Sequence, residues 1–444
     1  MRRTDKDEDE DGDEPSTLAH FGQMGTEKPT VVSGDGCTVR DDDGNEYLDF
    51  CSQLYCVNAG HGNERVLDGM REQLDRAQYV SSAMHSDVRE EYARRLVEVA
   101  PEPLDSVFFS VSGSEANEAA VQIARELQDA GTVLTRWRSY HGSTYATAGM
   151  TGDPAMRTSV EGKAATTGSV KFLPPFDGCD SPFDAETPEE LAERAANHLE
   201  YVVRNQGPDS IAALVTEVVG GSSGAFTAPP GYFDRVREIC DENDILLVAD
   251  EVITGFGRCG DWFGCDTESL EPDMITFAKG ATSAYVPLAG VLVSDSIAER
   301  VRDEQPAVGH TFAGNPVGCA AGLAALEEYD GLIENVRELE PHLRSELEAL
   351  HAYDVVGDVR GRGFLWCVEF VDETDGDRPV FDPRVEDGEN PVKDVIREAR
   401  DRGVLVGSGR PPFQVMVAPP LCATEEEIER GVEALRESVE AVFG

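Results

Sequence analysis

From about residue 65 onward, short apolar runs alternate with stretches of helical period. The runs are "SVFFSVSG", "TVLTRW", "IAALVTEVV", "ILLVADEV", "MITFAKG" and "LAGVLVS". Several are continuously apolar, as strands buried on both faces are. Amphipathic segments such as "NEAAVQIARELQDA" and "GYFDRVREICDEN" separate the earlier runs. This alternation predicts an α/β domain with a mainly parallel sheet. Ahead of it, "CTVRDDDGNEYLDF" (37–50) reads as a hairpin around Asp43-Gly44. After about residue 325 the texture changes to a long helical pattern, a strand-like "GFLWCVEF" and a final helix from Thr424. That part reads as a smaller α+β domain.

Charge changes the picture at the ends and on the surface. The chain carries 86 Asp+Glu against 38 Lys+Arg, a formal net charge of −48. A nucleic-acid partner is not expected, because phosphate binding needs the opposite sign. Residues 1–15 are acidic without apolar periodicity and read as a disordered tail. Carboxylates recur throughout, as in "ATEEEIERGVEALRESVE". Self-repulsion of that extent favours a salt-rich setting, where screening is short-ranged. No apolar run reaches a membrane span, and the N-terminus has no signal-peptide core, so a cytoplasmic location without membrane contact is expected. The ten cysteines form no CxxC pair and no zinc spacing. Reduced thiols and no metal are the expectation.

Four places carry candidate chemistry. In "SVSGSEANEAA", a strand leads into a helix through Gly113-Ser114, and Ser112 and Glu115 have capping-box spacing. Free N–H groups at such a start suit a phosphate, although ordinary capped helices look the same. Asp250 and Glu251 close the run "ILLVAD", where ligands of open α/β sheets bind. They could face a ligand, pair with an arginine such as Arg258, or hold Mg²⁺. Lys279 ends the run "MITFAK" and is one of only six lysines. A desolvated lysine is a nucleophile, whereas an ordinary one would snorkel to water. Tyr140-His141-Gly142 follows "TVLTRW", and an aromatic there could stack on a planar ring or be a core tyrosine.

Taken together the four are more specific than any one alone. A phosphate cradle, a flat aromatic, a strand-end acid and a buried amine are what pyridoxal 5′-phosphate requires. With these residues the chain resembles the class III (omega) aminotransferases of fold type I, over roughly residues 30–440. The stretch "LLVADEVITGFGRCGDWFG…PDMITFAKG" carries most of the resemblance. "SGSEANEAA", "YHGST", "GHTFAGNP", "DVRGRGF" and "APPLCATEEEIERG" follow the family's order.

The resemblance implies a large cofactor domain at 65–324 and a small domain built from 16–64 and 325–444. It implies Lys279 as the residue that bonds the cofactor's aldehyde and then shuttles a proton. Asp250 would bind the ring nitrogen, Val252 would pack beneath the ring and Tyr140, beside His141, would stack above it. Gly113 and Ser114 would hold the phosphate. Thr311 would reach the phosphate of a neighbouring subunit's cofactor, so a homodimer, or a tetramer, is implied. Glu217 would sit near the phenolic oxygen and could pair with a substrate-sensing arginine. The chain departs from the pattern at Val218, Ser283-Ala284 and Ala313, which affects loop shape rather than catalytic atoms.

"QLYCVNAGHG" is similar to a stretch of omega-amino acid:pyruvate and taurine:pyruvate enzymes, with Tyr55 lining the substrate pocket. Arg410, in "GSGRPPFQ", is either a carboxylate-holding arginine opposite Tyr55 or a surface residue of a turn. The implied function is transfer of an amino group from an omega-amino acid or amine to a keto acid such as pyruvate. Alternatives are 4-aminobutyrate- or ornithine-type transfer to 2-oxoglutarate, a mutase or decarboxylase on the same cofactor, and a silent binding protein on this fold.

Overall fold

The computed structural model describes residues 18, 20, 28–161, 168–268 and 270–444. The acidic tail expected at 1–15 lies outside the described residues.

Seven strands make the main sheet, in the spatial order Leu104–Ser110, Ala289–Ser294, Met274–Phe277, Leu246–Asp250, Ile211–Glu217, Thr132–Arg136, Ser169–Phe172. The last five run parallel to one another. Ala289–Ser294 is antiparallel on both sides, so one strand reverses the direction of an otherwise parallel sheet. The continuous apolar runs are the central strands. Every residue of Ile211–Glu217, Leu246–Asp250, Met274–Phe277 and Ala289–Ser294 is buried. Each fully buried Val, Leu or Ile there contributes about 1.5–3 kcal/mol relative to exposure.

The Asp43-Gly44 hairpin forms, with Thr38–Asp41 antiparallel to Glu46–Asp49. Val404–Leu405 adds to it in parallel, so the N-terminal and C-terminal segments share one small sheet. A third sheet joins Val356–Arg362, Leu365–Asp372, Gln414–Val417 and Gly407–Ser408. One helix, Pro316–Glu348, runs unbroken through the change of texture at 324–325. Asn315 caps it by accepting from the N–H groups of Val317 and Gly318. Thr424 caps the final helix, Glu425–Phe443, in a reciprocal capping box with Glu427.

Parallel register sets the place of the chemistry. Glu217 lies opposite Asp250, and Asp250 opposite Thr276, in one row across three strands. These are carboxyl ends of parallel strands, where the crevice of such a sheet opens.

Candidate active site

The helix Gly113–Gln128 begins directly after the Leu104–Ser110 strand. Ser112 Oγ accepts from Glu115 N at 3.2 Å. The expected reciprocal bond is shifted by one residue, because Glu115 Oε2 accepts from Val111 N rather than from Ser112. Gly113 is required by packing: a Cβ there would lie 2.9 Å from Val252 Cγ1. Ser114 Oγ accepts from Ser143 N at 3.2 Å, which ties the helix start to the Tyr140-His141-Gly142 turn.

Asp250 is the centre of a buried hydrogen-bond cluster. Its Oδ2 lies 2.7 Å from His141 Nδ1 and accepts from Asn117 Nδ2 at 2.9 Å. Its Oδ1 accepts from Val252 N at 3.1 Å. Asn117 is oriented in turn by Thr276, which donates to its Oδ1, and by its own bond to His141 O. Glu251 faces elsewhere. It accepts from Gly264 N, Cys265 N and the Thr254 hydroxyl, and burial pushes its carboxyl upward. The two acids therefore do not converge on one ion. Arg258 pairs with neither. It donates to Phe364 O, Pro419 O, Ser52 Oγ and Asn58 Oδ1, and burial lowers its pKa to about 10.

Glu217 accepts from Tyr140 N at 2.9 Å and from Arg136 Nη2 at 3.0 Å. Both side chains of this pair are buried, and burial pushes the Glu217 carboxyl upward despite the arginine. The arginine beside Glu217 is thus Arg136, at the end of the Thr132–Arg136 strand. Sequence reasoning passed over it, although a charge closing an apolar run is the signal that singled out Asp250. Asn117 was missed as well. It lies four residues after Gly113 in the quoted motif, one helical turn further on.

Lys279 follows the Met274–Phe277 strand and adopts φ 42°, a left-handed conformation that costs a non-glycine residue about 1–2 kcal/mol. The turn around it is heavily determined. Tyr92 and Tyr329 hydroxyls donate to Ala281 O and Gly280 O. A Cβ at Gly280 would sit 2.6 Å from Asn58 Nδ2. Ser283 and Ala284 take φ 50° and 61° although neither is glycine. Ser283 Oγ accepts from Ala59 N at 2.8 Å, which helps hold that geometry. Burial pushes the Lys279 ammonium below the ordinary lysine value. Among the described residues no carboxylate lies within ion-pair distance of it. Its Nζ instead lies 5.3 Å from the centroid of the Tyr55 ring.

Tyr55 is placed by an unusual backbone. Ser52, Gln53, Leu54 and Tyr55 all have positive φ, from 44° to 67°, with no glycine among them. Asp49 holds this turn by accepting from Cys51 N, Gln53 N and Gln53 Nε2, while Ser52 Oγ donates to Ala418 O. Such strain persists where surrounding contacts over-determine it, typically at functional sites. Arg410 lies across from Tyr140, its guanidinium carbon 5.1 Å from that ring's centroid, and its Nη1 is 3.7 Å from Asp153. Thr311 is on the surface, where its carbonyl accepts from the Tyr79 hydroxyl.

These residues fit pyridoxal 5′-phosphate. Helix N–H groups open beside a glycine with no room for a side chain, a buried carboxylate is held by His141, Asn117 and Val252 N, and a desolvated lysine stands without a carboxylate in ion-pair contact among the described residues. Fold and site together define a pyridoxal-phosphate-dependent transferase of fold type I. The chain belongs to the class III aminotransferases, whose family profile matches residues 23–439. Members move an amino group between a donor and a keto acid. A diaminobutyrate–2-oxoglutarate transaminase of Halomonas elongata is 33% identical over 433 residues, 93% of this chain and 90% of its own. An amine transaminase from an uncultivated Pseudomonas species superposes with TM-score 0.90 at 29% identity, covering 97% of this chain and 99% of its own. The taurine:2-oxoglutarate aminotransferase of Bifidobacterium kashiwanohense superposes with TM-score 0.90 at 30% identity, covering 96% and 95%. Among the described residues no helix is long and apolar enough to cross a membrane.

Proposed function

We propose that this enzyme transfers an amino group from an omega-amino acid or amine to pyruvate. The observation that carries this reading is Arg410 over the ring of Tyr140 and 3.7 Å from Asp153. An arginine resting on an internal carboxylate can exchange it for the carboxylate of a keto acid. It can also return to Asp153 when the substrate end is uncharged. One pocket then serves both half-reactions. Tyr55 supplies the apolar wall opposite.

Bound pyridoxal phosphate supplies an electron sink for the carbon that loses its proton. The chain's own residues do the rest. Lys279, neutral more readily than an exposed lysine, takes the proton from the substrate carbon and returns it on the other side of the transfer. Asp250, fixed by His141 and Asn117, keeps positive charge on the ring nitrogen. Val252 and Tyr140 would confine the cofactor ring between them. Glu217, already engaged by Arg136 and Tyr140 N, holds the loop beside the phenolic oxygen. Gly113 and Ser114 offer the phosphate site, which Thr311 of a second copy completes in a homodimer.

A second reading is transfer to 2-oxoglutarate. It is favoured by the Halomonas and Bifidobacterium relatives, both named for that acceptor. A panel of omega-amino acids and amines crossed with pyruvate and 2-oxoglutarate tests the choice. Turnover is expected with pyruvate. Exclusive use of 2-oxoglutarate overturns the first reading in favour of the second. Release of CO₂ or rearrangement of the donor without amino transfer overturns both. The net charge of −48 supports a salt-rich cytoplasm as the working environment.

A further inference from the structure

We propose that Cys37 and Cys422 form a thiol modification site, which small disulfides convert into an intramolecular disulfide. Their sulfur atoms lie 3.7 Å apart, although 385 positions separate them in the chain. All ten cysteines are described and free, and this is the one pair in sulfur contact. Cys37 is buried, immediately before the Thr38–Asp41 strand. Cys422 is partly exposed, two residues before the cap of the Glu425–Phe443 helix.

The two thiols are not equivalent. The Cys37 thiol is hydrogen-bonded to Cys422, which lowers the Cys422 pKa and, with burial, raises that of Cys37. The accessible sulfur is therefore also the better thiolate. Thiolate fraction and access together select the sulfur that reacts first. The Cys422 thiolate attacks one sulfur of a small disulfide such as oxidised glutathione, forming a mixed disulfide and expelling one glutathione thiolate. Cys37 loses its proton to solvent and attacks the Cys422 sulfur, expelling the second. Two protein thiols give up two electrons and two protons, and one small disulfide becomes two thiols.

The bond would tie the N-terminal hairpin to the start of the last helix. That junction borders the segment carrying Tyr55. A Cβ at Gly60 would lie 2.7 Å from Cys422 Sγ, and Leu421 N donates to Asn58 O. Oxidation thereby staples the backbone that shapes one wall of the pocket.

The test is incubation of the holoenzyme with oxidised glutathione, followed by iodoacetamide quenching, peptide mapping and a non-reducing denaturing gel. The expected result is a linked pair of peptides containing Cys37 and Cys422, lighter by two hydrogens. A faster-migrating band, absent from Cys37→Ala and from Cys422→Ser, should accompany it, because a loop of this length compacts the denatured chain. The partly exposed Cys422→Ser keeps the test available if the buried variant fails to fold. Alkylation of both cysteines after oxidation overturns the proposal. So does a glutathione adduct that stays on Cys422 while Cys37 remains free.

Discussion

His141 Nδ1 lies 2.7 Å from Asp250 Oδ2, and both side chains are almost wholly buried. Asn117 donates to the same oxygen, so the carboxylate is aimed by two neighbours before any ligand arrives. A carboxylate so fixed can hold charge on a ring nitrogen without reorganising during reaction. Asp250→Asn should fold normally and lose several orders of magnitude in the rate of the first half-reaction. Single-turnover kinetics with a good amine donor measures it. A loss below about tenfold, equal to about 1.4 kcal/mol of barrier, would contradict the role.

Arg410 and Asp153 should separate by substrate charge. On the proposed reading, Arg410→Leu removes a charge-assisted bond to the keto acid, worth about 1.5–3 kcal/mol, or roughly 10- to 150-fold in KM. Uncharged amines should be nearly unaffected. Asp153→Asn removes a competing carboxylate of modest strength, so KM for the keto acid should fall by about two- to fivefold. Steady-state KM values for one charged and one neutral substrate check both. Equal effects on the two would show that Arg410 acts through packing instead.

Acid should weaken the junction between the sheets at Glu369. This buried carboxylate accepts from Arg360 at 2.8 Å and from Gln414 and Cys179 N, while Arg138 and Arg360 both stack on Phe176. Burial alone would raise its pKa, but the arginine charges and hydrogen bonds hold it at about 2, below its ordinary 4.5. The folded value being the lower one, the stabilisation is present above pH about 4.5 and is lost as pH falls toward 2. Glu369→Gln should cost on the order of 3 kcal/mol at neutral pH, because the half-buried Arg138 and Arg360 lose their buried acid and Arg360 keeps only the partly exposed Asp358. Denaturation across a pH series should show the difference from wild type shrinking below pH about 4.5. A constant difference would mean that Glu369 titrates normally.

Dialysis from molar KCl into low-salt buffer should dissociate the proposed homodimer and release cofactor together. The screening length grows from about 3 Å toward 10–30 Å, so the −48 charge begins to act across subunits. Stability is typically only about 5–15 kcal/mol, so repulsion of a few kcal/mol decides the outcome. Sedimentation and cofactor absorbance over a salt series measure both. An intact, loaded, active dimer at millimolar salt would remove the halophilic reading and leave the chemistry untouched.

The strands and the ends that carry Asp250 and Lys279 were legible because buried parallel strands are unbroken apolar runs, and a charge that closes one is conspicuous; Glu217 came only from the family resemblance. What Asp250 and Arg258 touch was not legible. Arg258 meets Ser52, Asn58, Phe364 and Pro419, from three distant parts of the chain, and periodicity says nothing of such contacts. The left-handed turn at 52–55 left no sign either, since its residues are not glycines and local bonds to Asp49 together with a tertiary one to Ala418 O hold it. The Ser112 cap was half legible, for the spacing marks a helix start but not which N–H the glutamate reaches.

The central claim is that Lys279 carries the cofactor. Borohydride reduction of the holoenzyme, followed by proteolysis and mass mapping, reads it directly. The account predicts the phosphopyridoxyl group on the peptide containing Lys279, and no stable attachment in Lys279→Ala. Attachment to Lys28, Lys171, Lys393 or any other amine in the wild-type enzyme would contradict it.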